Sequence, residues 1–318
     1  MAFCKAIRLI QIVLFLSCSV SCALVTDMYE IQVRVVDEDG APVKDADVYI
    51  SFGKNTSSDS KMSSKNSVTG ADGIFKVSGS GNGHISYGAT KSGYYPSRYT
   101  YDFPGRADAS LQKREFVVLL RKIGNPVPMY ARKVTAILPA TNKEIGFDLF
   151  RADWVAPYGA GSTADFNVSL EADDSGPDDF EYKVTIKFNG KMSGVYEVTD
   201  NILTGSSYKL PRLANDEGYQ KSLNLMWRGL KRGQKRTWNQ NKHYIYRVRA
   251  EEKDGRLLRA MYGKIVSDVR IVSNRREGKL PSVEFTYYLN PDYTRNLEFD
   301  TKHNLFGELP DLEKIRQP

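Results

Sequence analysis

The chain has 318 residues, of which 41% are hydrophobic and 26% are charged, and its formal net charge is +7. This length suits two domains, and the apolar share excludes a chain that is disordered throughout. The 19 tyrosines and 14 phenylalanines favour β-structure, because aromatic residues are enriched in strands.

Residues 1–23 have the composition of an export signal. Lys5 and Arg8 precede an apolar run at residues 9–16, and small residues follow as far as Ala23. The run is too short to cross a bilayer, which takes about 20 residues in a helix. A cleaved signal peptide is therefore favoured over an uncleaved anchor, and no transmembrane span is expected. We predict a protein that is secreted or held in the cell envelope, in the periplasm or on the outer surface.

All the cysteines lie inside this predicted signal, as Cys4, Cys18 and Cys22. After cleavage at Ala23 the chain has no cysteine for a disulfide or for a metal. A lipidated Cys18 or Cys22 is the alternative N-terminus, although the residues before each depart from the usual lipoprotein pattern. Cleavage removes two basic residues and no acidic ones, so the formal charge falls from +7 to +5. Such a surplus favours solubility and specifies no partner.

Between residues 29 and 122, apolar and polar residues alternate in short segments separated by turn sequences. The period of two predicts half-buried strands, and turns at residues 37–40 and 71–73 contain Asp and Gly. Residues 53–68 contain six serines and are predicted to form a mobile surface loop. Short strands at this spacing predict a β-sandwich. The alternating apolar positions are Ile31, Val33 and Val35; Val48, Ile50 and Phe52; Phe75 and Val77; Ile85 and Tyr87; and Phe116, Val118 and Leu120.

Three pieces of this stretch also resemble a known family. They are VRVVDEDGAPVKDADVYI (33–50), TGADGIFKV (69–77) and GYY (93–95). Together they resemble a carboxypeptidase regulatory-like domain, which is a transthyretin-like, or prealbumin-like, β-sandwich. The resemblance covers residues 29–122, under a third of the chain. It implies a fold and a module that packs beside other domains or binds extracellular partners.

Residues 123–132, with two prolines, are predicted to be an extended linker. Residues 133–318 are predicted to form a second β-rich domain that resembles no named family. Its turns at residues 189–190 (NG) and 253–255 (KDG) indicate hairpins, and residues 222–230 fit either a helix or a strand. The predicted fold class is therefore all-β, with two β-sandwich domains in tandem.

No cofactor or metal site follows from the sequence. Zinc carboxypeptidases need a Glu three residues after a His, a pattern that this chain lacks. There is no G-x-S-x-G motif, and no histidine has a sequence context that brings it beside a Ser or Cys. Each histidine is expected to be an ordinary surface or strand residue. The residues three positions after His84, His243 and His303 are Tyr87, Tyr246 and Phe306.

Two groups of carboxylates leave an enzymatic alternative open. Glu298 and Asp300 would point from the same face of a strand, about 6.5 Å apart, within the spacing of a glycosidase pair. Asp153 with the nearby rings of Trp154 and Tyr158 would suit a sugar-binding groove. The simpler interpretation is that the acids lie on the wet face of an edge strand and that the aromatic rings fill the core.

Two oppositely charged stretches follow one another in the second half. The acidic loop (residues 171–181) holds six Asp or Glu, which would suit weak Ca²⁺ binding or a solvated loop. The basic segment (residues 221–249) holds nine Lys or Arg and no acid. Its composition suits anionic polymers, although charge runs are usually solvated. Its candidate binding residues are Trp227, Arg228, Lys231, Arg232, Lys235, Arg236 and Trp238.

We therefore expect a non-catalytic binding or structural protein of the cell envelope or the extracellular space. Its expected partners are anionic envelope polymers or glycans. Nucleic acid is not expected, because an exported protein rarely meets it. The alternative function is a polysaccharide-acting enzyme that uses Glu298, Asp300 or Asp153.

Overall fold

The computed structural model describes residues 27–55, 60–81, 83–103, 111–201 and 203–318. The predicted signal peptide and all the cysteines lie outside the described residues. Within these ranges the chain is mainly strand, with short 3₁₀ helices at Leu230–Arg232 and Arg275–Glu277. No helix in this part of the chain is long and apolar enough to cross a membrane.

The first lobe comprises the described residues from 27 to 122. Its strands are β1 (Asp27–Val36), β2 (Asp47–Asn55), β3 (Ser60–Val68), β4 (Ile74–Gly81), β5 (His84–Thr90), β6 (Tyr94–Tyr95), β7 (Ser97–Asp102), β8 (Leu111–Leu119) and β9 (Arg121–Lys122).

The second lobe comprises the described residues from 127 onward. Its strands are β10 (Val127–Ile137), β11 (Ile145–Asp148), β12 (Asp153–Trp154), β13 (Phe166–Gly176), β14 (Asp179–Phe188), β15 (Gly194–Thr199), β16 (Gly205–Ser206), β17 (Ser222–Arg228), β18 (Lys235–Arg236), β19 (Lys242–Lys253), β20 (Arg256–Val272), β21 (Ser282–Asn290) and β22 (Phe299–Asn304).

In the first lobe, two sheets enclose one apolar core. One sheet has the order β4-β1-β8, and the other has the order β16-β7-β5-β2-β3. Strand β1 alternates strictly between buried and exposed or half-buried positions, so that Ile31, Val33 and Val35 face Ile50 and Phe52 of the opposite sheet in one cluster. The period-two pattern therefore becomes the inner face of a sandwich, as predicted.

The predicted serine-rich loop at residues 53–68 is wrong. Strand β2 continues to Asn55, and β3 pairs with it over its whole length. Residues 62–68 are all exposed, because β3 is the edge strand of its sheet. An edge strand with no buried face needs only backbone hydrogen bonds, so its sequence shows no apolar alternation.

In the second lobe, two six-stranded sheets pack face to face. Their orders are β15-β19-β20-β21-β10-β22 and β12-β11-β13-β14-β17-β18. The aromatic rings of Phe147 and Phe166 in one sheet contact Phe285 in the other. The ambiguous segment at residues 222–230 forms β17. This arrangement confirms the all-β sandwich class.

One of the two predicted hairpins in the second lobe is correct. The KDG turn joins β19 to β20, which pair with each other. The NG turn joins β14 to β15, but these strands belong to different sheets. Strand β14 is already paired on both sides, by β13 and β17, so no edge remains for β15. Turn residues permit a chain reversal without choosing the strand that pairs.

The connector between the lobes is shorter than the predicted linker. Residues 127–132 form the start of β10, where the side chains of Met129 and Ala131 are fully buried. Pro128 lies between Val127 and Met129, at a register shift in the pairing with β22. The proline is accommodated at this irregular position, so only residues 123–126 separate β9 from β10.

We expect Gly263→Ala to lower the free energy of unfolding by about 1–3 kcal/mol. An added Cβ would lie 2.3 Å from the Tyr246 ring and 2.3 Å from the Tyr288 carbonyl oxygen, and the carbonyl belongs to a neighbouring strand that cannot move freely. Urea denaturation measures the change. Gly176→Ala is the matched control, since the nearest atom is 3.7 Å away. Equal losses in both variants would contradict this explanation.

Candidate functional site: a cavity between the lobes

A crossover segment (residues 203–214), which lies between β15 and β17, fills the space between the two lobes. Its strand β16 pairs with β7 of the first lobe. The Arg121 side chain donates to three successive carbonyl oxygens of this segment, those of residues 208–210, at 2.9–3.2 Å. These hydrogen bonds hold the crossover segment against the first lobe.

The crossover segment covers a buried lysine on the outer face of the second lobe's sheet. The Lys264 side chain projects from β20 and only 1% of the residue is exposed. Its Nζ lies 4.8 Å from the ring centroid of Tyr208 and 4.6 Å from that of Tyr288. Tyr208 is fully buried and stacks on Tyr95 of the first lobe at 5.1 Å. The amine is therefore held between two aromatic faces at the junction of the lobes.

Among the described residues, the Lys264 amine forms no hydrogen bond and no ion pair with a carboxylate. Burial lowers its pKa from 10.5 to about 7, because the protein interior solvates an ammonium poorly. Glu298 opposes this lowering, whereas Arg121 adds to it. Attraction to the two ring faces favours the charged form but replaces only part of the lost hydration.

Lys264 lines a cavity of about 370 Å³ between the lobes. This volume is within the range of about 300–1,000 Å³ that is usual for ligand sites. The described lining residues include the cationic side chains of Lys264, Lys209 and Arg98 and no Asp or Glu. Other residues that line it are Tyr49, Ser97, Ser206, Tyr288, Gln317 and Pro318.

Local backbone chemistry shapes two walls of this cavity. The half-buried ring of Tyr49 lies across Gly88, where an added Cβ would be 2.7 Å from the ring and 2.2 Å from the Ser97 carbonyl oxygen. Only glycine leaves room for this ring on the sheet. On the opposite wall, the Lys209 amine donates to the Thr204 carbonyl, and burial lowers its pKa.

The sequence did not predict Lys264 as a site residue. The available signal is a single lysine inside the apolar run of β20, where residues 260–265 are all buried. A charged residue within such a run indicates a strand that is covered on both faces. Which segment covers the second face depends on residues about 50 positions earlier in the chain.

Glu298, which belongs to the carboxylate pair of the enzymatic alternative, connects the two lobes through hydrogen bonds. Its carboxylate accepts hydrogen bonds from the Tyr95 hydroxyl at 2.7 Å and from the backbone amides of Gly124 and Asn125 at 2.8 and 2.7 Å. The residue is 1% exposed. Asp300 instead accepts from the Lys302 amide and contacts His303. The alternative of a Glu298–Asp300 glycosidase pair is therefore contradicted, because the Glu298 carboxylate is buried in the connection between the lobes.

The polar groups of Asp153 and Trp154 are engaged within the protein. The Asp153 carboxylate accepts from the backbone amides of Trp154 and Ala160 and closes its own loop. The Trp154 ring is buried against Phe147, and its indole N–H donates to the Ile137 carbonyl at 2.9 Å. Of the three predicted groove residues, only Tyr158 is exposed. A sugar-stacking groove with Trp154 is therefore wrong for this structure.

Two arginines of the basic segment, Arg228 and Arg232, are paired with the acidic loop. Strands β14 and β17 place Glu181 opposite Arg228, and these side chains form an ion pair. Arg232 pairs with both Asp173 and Asp179. In the described part of the chain, no group of three or more His, Cys, Asp or Glu is arranged to hold a metal ion.

Three neighbouring cations of the basic segment, Lys231, Lys235 and Arg236, stay exposed, as does Lys221 at its start. The Arg236 guanidinium lies 4.5 Å from the Trp227 ring and 6.0 Å from the Trp238 ring. Both tryptophans are half-buried. Together these residues form a small cationic surface.

One histidine does lie beside a serine, contrary to the expectation. His84 Nδ1 is 2.7 Å from Asp102 and its Nε2 is 3.4 Å from the Ser86 hydroxyl. His84 and Ser86 share a face of β5, and Asp102 is opposite His84 on β7. Strand β5 is paired on both sides, so its backbone amides are not free to stabilise an oxyanion. Among the described residues, β5 itself therefore supplies no free amide to such a site.

The fold and the site together define an all-β, two-lobed protein with a cationic cavity between its lobes. No protein-family model matches the chain, and no curated protein matches it. Among solved structures, a Bacteroides uniformis protein named "putative carbohydrate binding protein" matches with 10% identity over 82% of this chain and 98% of its own, at a TM-score of 0.20. A Bacteroides fragilis "putative membrane-associated protein of unknown function" matches with 10% identity over 85% and 99%, at a TM-score of 0.19. Similarity at this level defines neither the fold nor the function of this chain.

Proposed function

We propose that this protein is a non-catalytic binding protein of the cell envelope or the extracellular space, and that its interlobe cavity holds an anionic group of a glycan or envelope polymer. The observation that carries the proposal is the buried amine of Lys264, which lines the cavity and has no hydrogen-bond acceptor among the described residues. A carboxylate or similar group on a ligand would supply that acceptor.

The charges around the cavity support an anionic ligand. Lys209 and Arg98 line the same cavity, and none of its described lining residues is Asp or Glu. A buried polar group without a partner raises the free energy of the empty protein, so a ligand that provides the partner binds with that additional gain. A neutral ligand of the same size would leave the amine unsatisfied.

The export signal predicted at residues 1–23 supports a location where such polymers occur, with or without lipidation at Cys18 or Cys22. The structure-based site differs from the basic segment predicted first. Lys231, Lys235 and Arg236 form an exposed surface and remain a second, weaker candidate for polymer contact. An exposed surface of this kind would contribute mainly salt-sensitive attraction.

Calorimetric titration with galacturonic acid and with neutral galactose tests the proposal. We expect the acid to bind and Lys264→Met to weaken its binding about 10- to 150-fold, because a hydrogen bond to a charged group contributes about 1.5–3 kcal/mol. Lys231→Met is the matched control and should change the affinity less than about twofold, since its side chain is exposed. Equal binding of galactose, or a loss in the control and not in Lys264→Met, would overturn the cavity as the site.

A further inference from the structure

We propose that Lys264 reacts with its ligand, by forming an imine with a carbonyl carbon of a small compound that also carries a carboxylate. This inference rests on the proposed function, because it concerns the same cavity. It narrows the ligand class to 2-oxo acids and open-chain sugar acids.

Among the described residues, no group accepts a hydrogen bond from the Lys264 amine. The two rings beside it have their hydroxyl groups engaged elsewhere: Tyr208 donates to the Pro211 carbonyl at 3.1 Å and Tyr288 to the Gln317 carbonyl at 3.2 Å. The amine therefore contacts ring faces, which do not accept its lone pair, and the lone pair can be directed into the cavity. Only an unprotonated amine attacks a carbonyl, and burial without an acceptor favours that form.

Two further cationic residues of the cavity wall indicate that the ligand also carries a carboxylate. Arg98 presents a planar guanidinium that can donate two parallel hydrogen bonds to a carboxylate, and Lys209 adds a second positive charge to the cavity wall. Because the pKa of Lys264 is lowered to about 7, both forms of the amine are present at neutral pH. The protonated form binds an anion directly, whereas the neutral, reactive form leaves Arg98 and Lys209 as the anion-binding groups. The ligand that matches both halves has a carboxylate and, close to it, an aldehyde or ketone.

The reaction requires no other reactant. The lone pair of Lys264 Nζ forms a bond to the carbonyl carbon, and the C=O π electrons move to the oxygen. A proton passes from nitrogen to that oxygen to give a carbinolamine. Loss of water then gives the C=N bond, so one water leaves for each imine formed, and hydrolysis reverses the step.

Reductive trapping with glyoxylate tests the proposal on the full mature chain. Sodium cyanoborohydride converts each imine into a stable carboxymethyl-lysine, which peptide mass spectrometry locates and quantifies. At pH 7 we expect Lys264 to be modified at least about tenfold faster than the exposed Lys231, because burial beside two ring faces favours the unprotonated, reactive form of the Lys264 amine. Acetaldehyde, which lacks the carboxylate, should not show this preference for Lys264.

Two outcomes separate this inference from the proposed function. If galacturonic acid binding depends on Lys264 but glyoxylate modifies Lys264 no faster than Lys231, the imine is excluded and the binding site stands. If Lys264 is trapped rapidly but no anionic sugar binds, the proposed function fails and the reactive lysine stands. Lys264→Arg provides a further check, since it keeps a positive charge but should abolish the rapid modification.

Discussion

Glu298→Ala is expected to lower the free energy of unfolding by about 3 kcal/mol or more, because three buried donors lose their acceptor and each costs about 1–3 kcal/mol. The carboxylate accepts from one hydroxyl and two backbone amides, in Tyr95 and in the connector between the lobes. Alanine also removes a negative charge that acts on Lys264. Urea denaturation monitored by tryptophan fluorescence and by far-ultraviolet circular dichroism measures the loss.

Two variants distinguish the contribution of the Glu298 hydrogen bonds from a general effect of removing a carboxylate. Tyr95→Phe deletes one of the three hydrogen bonds and should cost about 1–2 kcal/mol. Asp300→Asn, two residues from Glu298, should change the stability by less than about 0.5 kcal/mol, because the side chain bonds only within its own turn. A loss below about 1 kcal/mol in Glu298→Ala would show that the lobes are held together by other contacts.

Lys264→Met is expected to stabilise the empty protein below pH 7, and this gain should disappear as the pH approaches 10.5. The folded-state pKa of Lys264 is lowered to about 7 from 10.5, so the unfolded chain binds more protons between these values. The free energy of unfolding of the natural protein therefore rises with pH across that window, by about 1.4 kcal/mol for each pH unit and by a few kcal/mol in total. Methionine has no charge to bury, so this rise is absent from the variant.

The measurement is the difference in unfolding free energy between Lys264→Met and the natural chain at several pH values. That difference should be largest at pH 6–7 and should shrink steadily above it. Glu298 and Arg121 also act on the amine. Lys231→Met, at an exposed position, is the control. Parallel curves for Lys264→Met and Lys231→Met would sink the assignment of a poorly solvated amine at position 264.

Glu298→Ala and Lys264→Met are expected to have opposite effects on stability, and this contrast also tests the proposed function. A residue kept for stability should destabilise the protein when it is replaced, as Glu298 is expected to do. A residue kept for binding or reaction should lower ligand affinity while leaving the stability unchanged or raising it, as Lys264 is expected to do. This contrast is typical of functional sites, where a strained or unsatisfied group in the empty protein is used by the ligand.

Errors in the predicted site have a common origin. The chemistry of Trp154 and Glu298 suggests ligand contact, but each is buried by residues outside its own segment. The charges of Arg228 and Arg232 suggest free cations, but the sheet sets them beside the acidic loop. The local sequence does not show which residues of other segments lie against these side chains. The resemblance of residues 29–122 to a carboxypeptidase regulatory-like domain stays a prediction.

The all-β class follows from the local sequence, because the two-residue alternation at Ile31, Val33 and Val35 can bury its apolar side chains only from one face of a strand. The hairpin at residues 253–255 is also encoded locally, since turn residues act on their immediate neighbours. The burial of Lys264 at a cavity and the position of Glu298 between the lobes depend instead on the assembled fold. The solvation of one polar side chain depends on what covers it, and here the cover comes from the crossover segment and from the first lobe.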